Sequence, residues 1–251
     1  MPIQKQCAIL AHTPLTADIF SMLLDAGELA QAAQPGQFVH IRCGEGLLLR
    51  RPISICDAWD GTLRIVFQVR GTGTAWLAER SVGDTLDVLG PLGNGFDLSG
   101  NDPVLLVGGG IGAAPMRFAA RRLGDRCQAA FGFRSKAGVI LADELEQAGI
   151  PVVVATEDGS QGEAGRVDQV VQRLLRENPA LTVWACGPTP MLKAVSAVTA
   201  GEGRRCQVSL EERMACGLGA CLTCSCKVNG HYKRVCKDGP VFQSQEVEWD
   251  D

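Results

Sequence analysis

The sequence predicts a multi-domain β and α/β protein with an N-terminal antiparallel β-barrel, a parallel α/β domain and a small cysteine-rich C-terminal domain. Three observations predict this. Short apolar segments alternate with glycine turns in the first third, apolar strands alternate with helices in the middle, and five of the eleven cysteines fall within residues 216–236. We therefore expect the domains to span residues 1–100, 101–205 and 206–251.

Composition narrows the class of protein before any motif is considered. The 251 residues suffice for two ordinary domains and a small appendage. A net charge of −4 argues against nucleic acid or an anionic membrane as the main partner. No apolar run approaches the roughly 18–20 residues that span a bilayer, and the first ten residues lack the pattern of a signal peptide. We expect a cytoplasmic protein, where clustered cysteines are more often ligands than disulfides.

The first third predicts a barrel because short apolar segments recur between glycines. The segments QCAIL, QFVHIRC and LRIVFQVR each have the length and composition of a strand. Glycines between them occur at intervals that suit antiparallel turns. His40 alternates with Val39 and Ile41 in one of these strands, and the sequence gives it no role.

Two motifs in this third could bind a phosphate. RRPISI at 50–55 is expected to lie between strands, where its cations, proline and hydroxyl could hold a phosphate and hydrogen-bond a flat ring, although Arg-Pro pairs also occur at plain strand edges. RGTGT at 70–74 precedes the predicted helix AWLAER. Bare backbone and hydroxyls there suit an anion, and a simple turn with a threonine cap fits as well.

The middle third predicts a parallel sheet with ligands at the carboxyl ends of its strands. The strand PVLLV runs into Gly108, Gly109, Gly110 and Gly112 and then a helix, a context that favours nucleotide binding although the motif differs from G-x-G-x-x-G. Three other strands end at Arg134-Ser135, at residues 156–160 and at CGP. These four loops meet at one edge of a parallel sheet.

The charges at this edge leave the choice of nucleotide open. Arg134 could bind the 2′-phosphate of NADP, whereas Glu157 and Asp158 favour a free ribose hydroxyl and therefore NAD.

The C-terminal cysteines predict a metal centre. Cys216, Cys221 and Cys224 form C-x4-C-x2-C, and Cys236 follows after eleven residues, which is the plant-type spacing for a [2Fe–2S] cluster. The small residues within the loop suit a backbone that wraps around a cluster. A zinc site and a disulfide framework remain alternatives. Cys226 is either a buried bystander or a substitute ligand.

Together these motifs resemble a known family. RPIS at 51–54, GTGT at 71–74, GGGIGAAP at 108–115, CGPTPML at 186–192 and the cysteine loop follow the order found in ferredoxin–NADP reductase-like electron-transfer flavoproteins. Within that superfamily, EERMACGLGACLTCSCK at 211–227 and VCKDGPVFQSQEVEW at 235–249 are similar to the electron-transfer (K) subunits of class 1B dihydroorotate dehydrogenases.

The resemblance implies a cofactor for each domain. FAD would occupy the barrel, NAD would bind transiently in the middle domain, and the cluster would face an FMN-containing catalytic subunit that oxidises dihydroorotate in pyrimidine biosynthesis, in a heterotetramer with two copies of each subunit. The residues implied for FAD are Arg51, Pro52, Ile53, Ser54, Val66, Phe67, Gln68, Gly73 and Thr74. Those implied for NAD are Gly108, Gly109, Gly110, Gly112, Cys186, Gly187 and Pro188. Those implied for the cluster are Cys216, Cys221, Cys224 and Cys236.

One departure and two alternatives accompany this interpretation. Family members often carry Tyr-Arg where this chain has Phe67-Gln68, and Arg70 is the neighbouring cation. Related subunits serve a sulfide dehydrogenase or a hydrogenase diaphorase, and a redox sensor that turns nothing over belongs to another class. No acid–base catalytic residue is expected, because the cofactors carry the chemistry.

Overall fold

The structure, a computed structural model, describes residues 2–249. Met1, Asp250 and Asp251, which begin the first predicted domain and end the third, lie outside the described residues. No helix of residues 2–249 is long and apolar enough to cross a membrane.

Six antiparallel strands close into the predicted N-terminal barrel, in the order β1-β2-β5-β4-β3-β6. They are β1 (Ile3–Pro14), β2 (Ile19–Asp25), β3 (Phe38–Ile41), β4 (Arg51–Trp59), β5 (Thr62–Gln68) and β6 (Thr85–Leu92). Two short helices accompany them, α1 (Glu28–Ala32) and α2 (Thr72–Ala78). The three predicted strand segments correspond to β1, β3 and β5, and the predicted helix AWLAER overlaps α2.

The barrel forms because alternate side chains of its strands fill one apolar interior. Val39 and Ile41 of β3 point into this core, while Phe38 packs in a separate cluster on the outer face of the strand. One sequence expectation is wrong here. Residues 51–55 of the RRPISI motif do not lie between strands, since they form the first half of β4 and Pro52 pairs with His40 of β3.

The middle of the chain forms the predicted parallel sheet. Its strands are β7 (Val104–Gly109), β8 (Cys127–Phe133), β9 (Val152–Thr156), β10 (Glu163–Ala164), β11 (Thr182–Cys186), β12 (Cys206–Ser209) and β15 (Val241–Gln243). The order is β10-β9-β8-β7-β11-β12-β15, and every pairing is parallel except that of β15 with β12. All six residues of β7 are buried, as expected for a central strand covered on both faces.

Helices cover both faces of this sheet. They are α3 (Ala113–Leu123), α4 (Ala142–Gln147), α5 (Val167–Glu177) and α6 (Thr189–Gly201). Helices α3 and α4 pack in one apolar cluster with Leu106 and Phe131, whereas α5 and α6 pack in another with Leu105 and Val183. Leu105 and Leu106, which are neighbours in β7, therefore face opposite helix layers, because successive side chains of a strand point to opposite faces of the sheet.

The C-terminal segment is tied to both larger units. The hairpin of β13 (Ser225–Val228) and β14 (His231–Arg234) stands apart, but β15 returns to the central sheet. Strand β12, which falls within the predicted third domain (residues 206–251), also lies in that sheet. The domain boundaries themselves stay a prediction. The segment also packs against the barrel, where Phe38 of β3 and Leu92 of β6 contact a cluster formed by Cys224, Val235 and Cys236.

The barrel and the α/β unit are joined by an ion-pair network. Asp57 of β4 is 1% exposed and accepts hydrogen bonds from Arg117 and from Arg121 Nε of α3, the latter at 2.6 Å. Beside it, Arg64 of β5 pairs with Glu144 of α4 at 2.6 Å. A buried carboxylate with two cationic partners fixes α3 against β4.

Candidate functional site

The ladder between β4 and β5 covers only part of the two strands. The two strands pair from Trp59 with Thr62 as far as Ile55 with Ile65, and the ladder then stops. Beyond that point residues 51–54 pair with β3 and residues 66–68 pair with β2. Beyond this point the two strands no longer bond each other, and we call this gap in the ladder the β4–β5 cleft, where backbone polar groups could bond a flat ring.

The two barrel motifs that were predicted to bind a phosphate meet at this cleft. Gly73 lies directly against the guanidinium of Arg51, so a Cβ at that position would overlap Arg51 Nε. The Thr74 hydroxyl accepts hydrogen bonds from the backbone N–H of Arg70 at 2.8 Å and of Gly71 at 3.2 Å. Only a residue without a side chain allows the cation to approach this closely.

The residues implied for the flavin on β5 offer mainly their backbone. Val66 and Phe67 are 2% and 1% exposed, and their side chains pack in two different apolar clusters. Gln68 donates to Asp18 at 2.6 Å and accepts from Arg70 Nε at 2.8 Å. Arg70 therefore lies beside the position where the family often has Tyr-Arg.

The glycine loop after β7 and the CGP loop after β11 are in direct contact. A Cβ on Gly112 would overlap the carbonyl of Cys186, and one on Gly187 would lie 3.0 Å from the Cα of Gly109. Gly110, with φ +54°, faces open space. The predicted convergence of these loops at the carboxyl edge of the sheet is confirmed, and the turn at residues 110–112 also contacts β5.

The charged loops after β8 and β9 lie at the same edge. The backbone N–H of Asp158 donates to the carbonyl of Arg134 at 3.3 Å. The Asp158 carboxylate accepts from the Ser160 hydroxyl at 2.6 Å and from its N–H at 3.0 Å, and these bonds, the hydroxyl first, lower its pKa. The cation and the acids that favour different nucleotides are thus neighbours.

Cys186 is a packing residue at this edge. Its thiol is 1% exposed, and burial raises its pKa well above the usual range, so it stays protonated. A protonated buried thiol is a poor nucleophile.

The cysteine loop turns its backbone toward its thiols. The N–H groups of Leu218 and Ala220 donate to Cys216 Sγ at 3.3 and 3.4 Å, and the N–H of Cys236 donates to Cys224 Sγ at 3.4 Å. The Thr223 hydroxyl donates to Cys221 Sγ at 3.2 Å and is the main cause that lowers the Cys221 pKa to about 6. Donors directed at sulfur are what an iron–sulfur site requires.

Each of the four predicted ligands has one main partner among the others. The Cys216 thiol interacts with that of Cys221 and the Cys224 thiol with that of Cys236, and a weaker interaction of Cys236 with Cys216 connects the two pairs. Over residues 2–249 no three His, Cys, Asp or Glu side chains gather around a point that would suit one metal ion. Two thiol pairs fit a two-iron cluster, in which four thiolates are shared between two irons.

The remaining cysteines do not compete for this site. All eleven are free thiols, so the disulfide framework is not formed. Cys226 lies in β13 opposite Lys233 and packs against the apolar cluster of Phe38 and Leu92. Burial raises its pKa to about 11. These surroundings favour the bystander interpretation.

His40 is a residue that the sequence interpretation passed over. It lies on the outer face of β3, is fully buried, and has its ring against Gly217 of the cysteine loop. Burial, and after it the charges of Arg50 and Arg51, lower its pKa to about 4. Its alternation with Val39 and Ile41 indicated the outer face, but nothing local indicated what covers that face.

Comparison with known proteins identifies the family. Residues 211–248 match the iron–sulfur cluster binding domain of dihydroorotate dehydrogenase B, and residues 106–197 match the oxidoreductase NAD-binding domain. The "dihydroorotate dehydrogenase B (NAD(+)), electron transfer subunit" of Caldanaerobacter subterraneus subsp. tengcongensis is 40% identical over 97% of this chain and 98% of the relative. That of Geobacillus kaustophilus is 44% identical over 98% and 99%.

The chain belongs to the family of dihydroorotate dehydrogenase B electron-transfer subunits. Solved structures agree with this family in fold. A chain of the NADH-dependent reduced ferredoxin-NADP oxidoreductase superimposes with a TM-score of 0.90 at 34% identity, over 98% of this chain and 90% of that one. The ferredoxin reductase of carbazole 1,9a-dioxygenase gives a TM-score of 0.70 at 26% identity, over 81% and 67%. The ferredoxin reductase-like fold of the family is therefore confirmed for this chain.

Proposed function

We propose that this chain is the electron-transfer subunit of an NAD-dependent dihydroorotate dehydrogenase, an oxidoreductase of pyrimidine biosynthesis. It passes electrons between NAD and the FMN of a catalytic subunit that oxidises dihydroorotate, by way of FAD and a [2Fe–2S] cluster. The observation that carries this function is that a strand cleft, a nucleotide edge and two thiol pairs occur in one chain with near full-length similarity to such subunits.

Each group has a place that fits its chemistry. The cleft between β4 and β5 suits the flavin, with Arg51 and Gly73 on its phosphate side. The edge at Gly108–Gly112 and Cys186–Pro188 suits the nicotinamide nucleotide. Cys216, Cys221, Cys224 and Cys236 suit the cluster. When bound, nicotinamide supplies hydride transfer, the cluster one-electron transfer, and flavin the exchange between them.

The three places follow one another through the fold. The cysteine loop rests on the outer face of β3, β3 pairs with the β4 residues that border the cleft, and the glycine turn at 110–112 contacts β5 on the other border. A relay needs each carrier beside the next. This order supports a route that runs from the nucleotide through the barrel to the cysteine loop.

The catalytic subunit has a suitable docking surface around the loop. Leu218 and Leu222, which flank the exposed Cys221, are 48% and 61% exposed. Apolar side chains at an electron exit are expected to be covered in the working complex, for which we propose two copies of each subunit.

The eleven free thiols support a reducing cytoplasmic location.

The deciding experiment is reconstitution with the catalytic subunit. The purified pair should reduce NAD with dihydroorotate as donor. This chain, purified without the catalytic subunit, should contain flavin and show the absorption spectrum of a [2Fe–2S] cluster. Activity with sulfide or hydrogen but not with dihydroorotate would instead favour the related reductase subunits, and a chain without bound flavin would favour a redox sensor.

Nucleotide preference is tested separately. The acids Glu157 and Asp158 at the end of β9 disfavour a 2′-phosphate, so the KM for NADH should be lower than that for NADPH. A preference for NADPH would assign the dominant role to Arg134.

A further inference from the structure

His40 is a buried polar side chain that lacks a partner in the described structure. It is 0% exposed, and neither Nδ1 nor Nε2 makes a hydrogen bond to residues 2–249. A neutral imidazole carries one N–H donor and one acceptor nitrogen. Leaving such a group unsatisfied is unfavourable, so native proteins supply a partner from protein, water or a bound group.

The surroundings of the ring narrow the choice of partner. His40 lies on β3 opposite Pro52, and its neighbour on the same outer face, Phe38, approaches it edge-on with ring centroids 6.2 Å apart. The cysteine loop also contacts this ring. A Cβ built on Gly217 would be 2.6 Å from His40 Nδ1 and 3.0 Å from Cε1.

Two N–H groups of the loop backbone already donate to sulfur. They belong to Leu218 and Ala220, which follow the point of contact with His40, and their acceptor is Cys216 Sγ. A cluster held by this loop would add sulfur atoms, both thiolates and sulfides, beside the buried His40 ring. These sulfurs accept hydrogen bonds from N–H groups.

We propose that the His40 ring N–H donates a hydrogen bond to a sulfur of the iron–sulfur centre held by the cysteine loop. His40 thereby acts as a positioning residue that connects barrel strand β3 to this centre and raises its reduction potential. The proposal rests on the proposed function, since it presupposes the cluster.

The physical consequence is an effect on potential. Hydrogen bonds to the sulfurs are one of the means by which a protein sets the potential of such a cluster, because they stabilise the more negative reduced form. His40→Leu removes the donor and keeps an apolar side chain of moderate size. Phe38→Leu changes packing on the same face without removing any N–H, and is the matched control.

The test is an EPR-monitored redox titration of the full chain, with the flavin followed by absorbance in the same samples. We expect His40→Leu to lower the midpoint potential of the cluster, Phe38→Leu to move it less, and the flavin potential to stay near that of the wild type. An unchanged cluster potential in a His40→Leu protein that retains its cluster, or a shift in the flavin alone, overturns the proposal.

A second measurement needs no folded variant at position 40. Wild-type protein labelled with 15N-histidine should show a histidine nitrogen coupling to the reduced cluster in pulsed EPR. The coupling should persist in His12→Gln, because His12 Nδ1 contacts the carbonyl of Arg80 on another part of the barrel. A cluster signal without histidine coupling overturns this inference alone, whereas wild-type protein with no cluster signal refutes the proposed function itself.

Discussion

Gly217 combines two constraints at one position of the cysteine loop. Its φ of +69° is in the left-handed region, and a side chain there would press on the His40 ring from 2.6 Å. Left-handed backbone costs a residue with a Cβ about 1–2 kcal/mol, and the contact adds to this because the neighbour is an enclosed ring. The loop can therefore rest on β3 only with glycine at this place.

Gly217→Ala should lower the amount of cluster that the purified chain retains. Gly230→Ala is the matched control, since Gly230 has a φ of +75° with nothing within 4 Å of a built Cβ. Iron and sulfide content per chain, together with the Tm, would measure both variants. Equal loss in the two variants would show that backbone strain alone matters and that the His40 contact does not.

Single cysteines of the loop region are expected to differ in their role, either as a cluster ligand or as a packing residue. Cys221→Ser removes a proposed ligand and should abolish the [2Fe–2S] spectrum, while flavin content and NADH oxidation with an artificial acceptor remain. Cys226→Ser should keep the cluster, because that thiol packs against Phe38 and Leu92. Absorbance, EPR and acceptor assays on both variants would test this. Loss of flavin in Cys221→Ser would mean that the two sites depend on each other.

At the scale of elements, one carboxylate holds a helix to a strand. Asp57 of β4 is buried between Arg117 and Arg121 of α3 and also accepts the backbone N–H of Ala58 at 2.9 Å. Both arginines donate a further hydrogen bond, Arg117 to the carboxylate of Glu144 and Arg121 to the carbonyl of Ala58. The orientation of the α/β unit on the barrel thus depends on a few charged groups.

Asp57→Ala should destabilise the chain by about 1.5–3 kcal/mol, because it removes buried hydrogen bonds to charged groups while the two partly exposed arginines keep other partners. Arg173→Ala on α5 removes exposed ion pairs with Glu163 and Glu177 and should leave the Tm nearly unchanged. Thermal and urea unfolding would measure both. If Asp57→Ala unfolds like the wild type, the network does not join the two units.

At the scale of the molecule, the last segment of the chain is part of two cores. Strand β15 forms the edge of the central sheet beside β12, and Phe242 packs with that core. The side-chain amide of Asn94 in the turn after β6 donates to the carbonyls of Lys237 and Asp238 at 3.1 Å. Removing the C-terminal residues therefore removes more than a cluster-binding appendage.

A chain cut after residue 205 should fold poorly. It lacks β12 and β15, so β11 becomes an uncovered edge and the outer face of β3 loses the residues that bury Phe38. We expect aggregation or a lowered Tm and reduced flavin content. A cluster-free full-length Cys221→Ser protein is the control, because it loses the metal and keeps the strands. A stable, flavin-loaded 1–205 fragment would contradict the expectation.

The sequence by itself determined what depends on local order. Cysteine spacing predicted four ligands because three of them come from one tight loop, and strand–glycine–helix order predicted the nucleotide edge because parallel strands place their carboxyl ends together. The same local rules predicted the barrel and the covered sheet. Each of these features follows from residues close together in the chain.

Only the tertiary structure decided what depends on residues far apart in the chain. The β4–β5 ladder ends at Ile55 and Ile65 and so creates the cleft, Asp57 meets arginines some sixty positions away, and β15 joins a sheet built by the middle of the chain. His40 is the clearest case. Its alternation in β3 fixed the face it occupies, but long-range packing alone placed Gly217 on that face, because the free energy of burying an outer strand surface depends on which distant segment covers it.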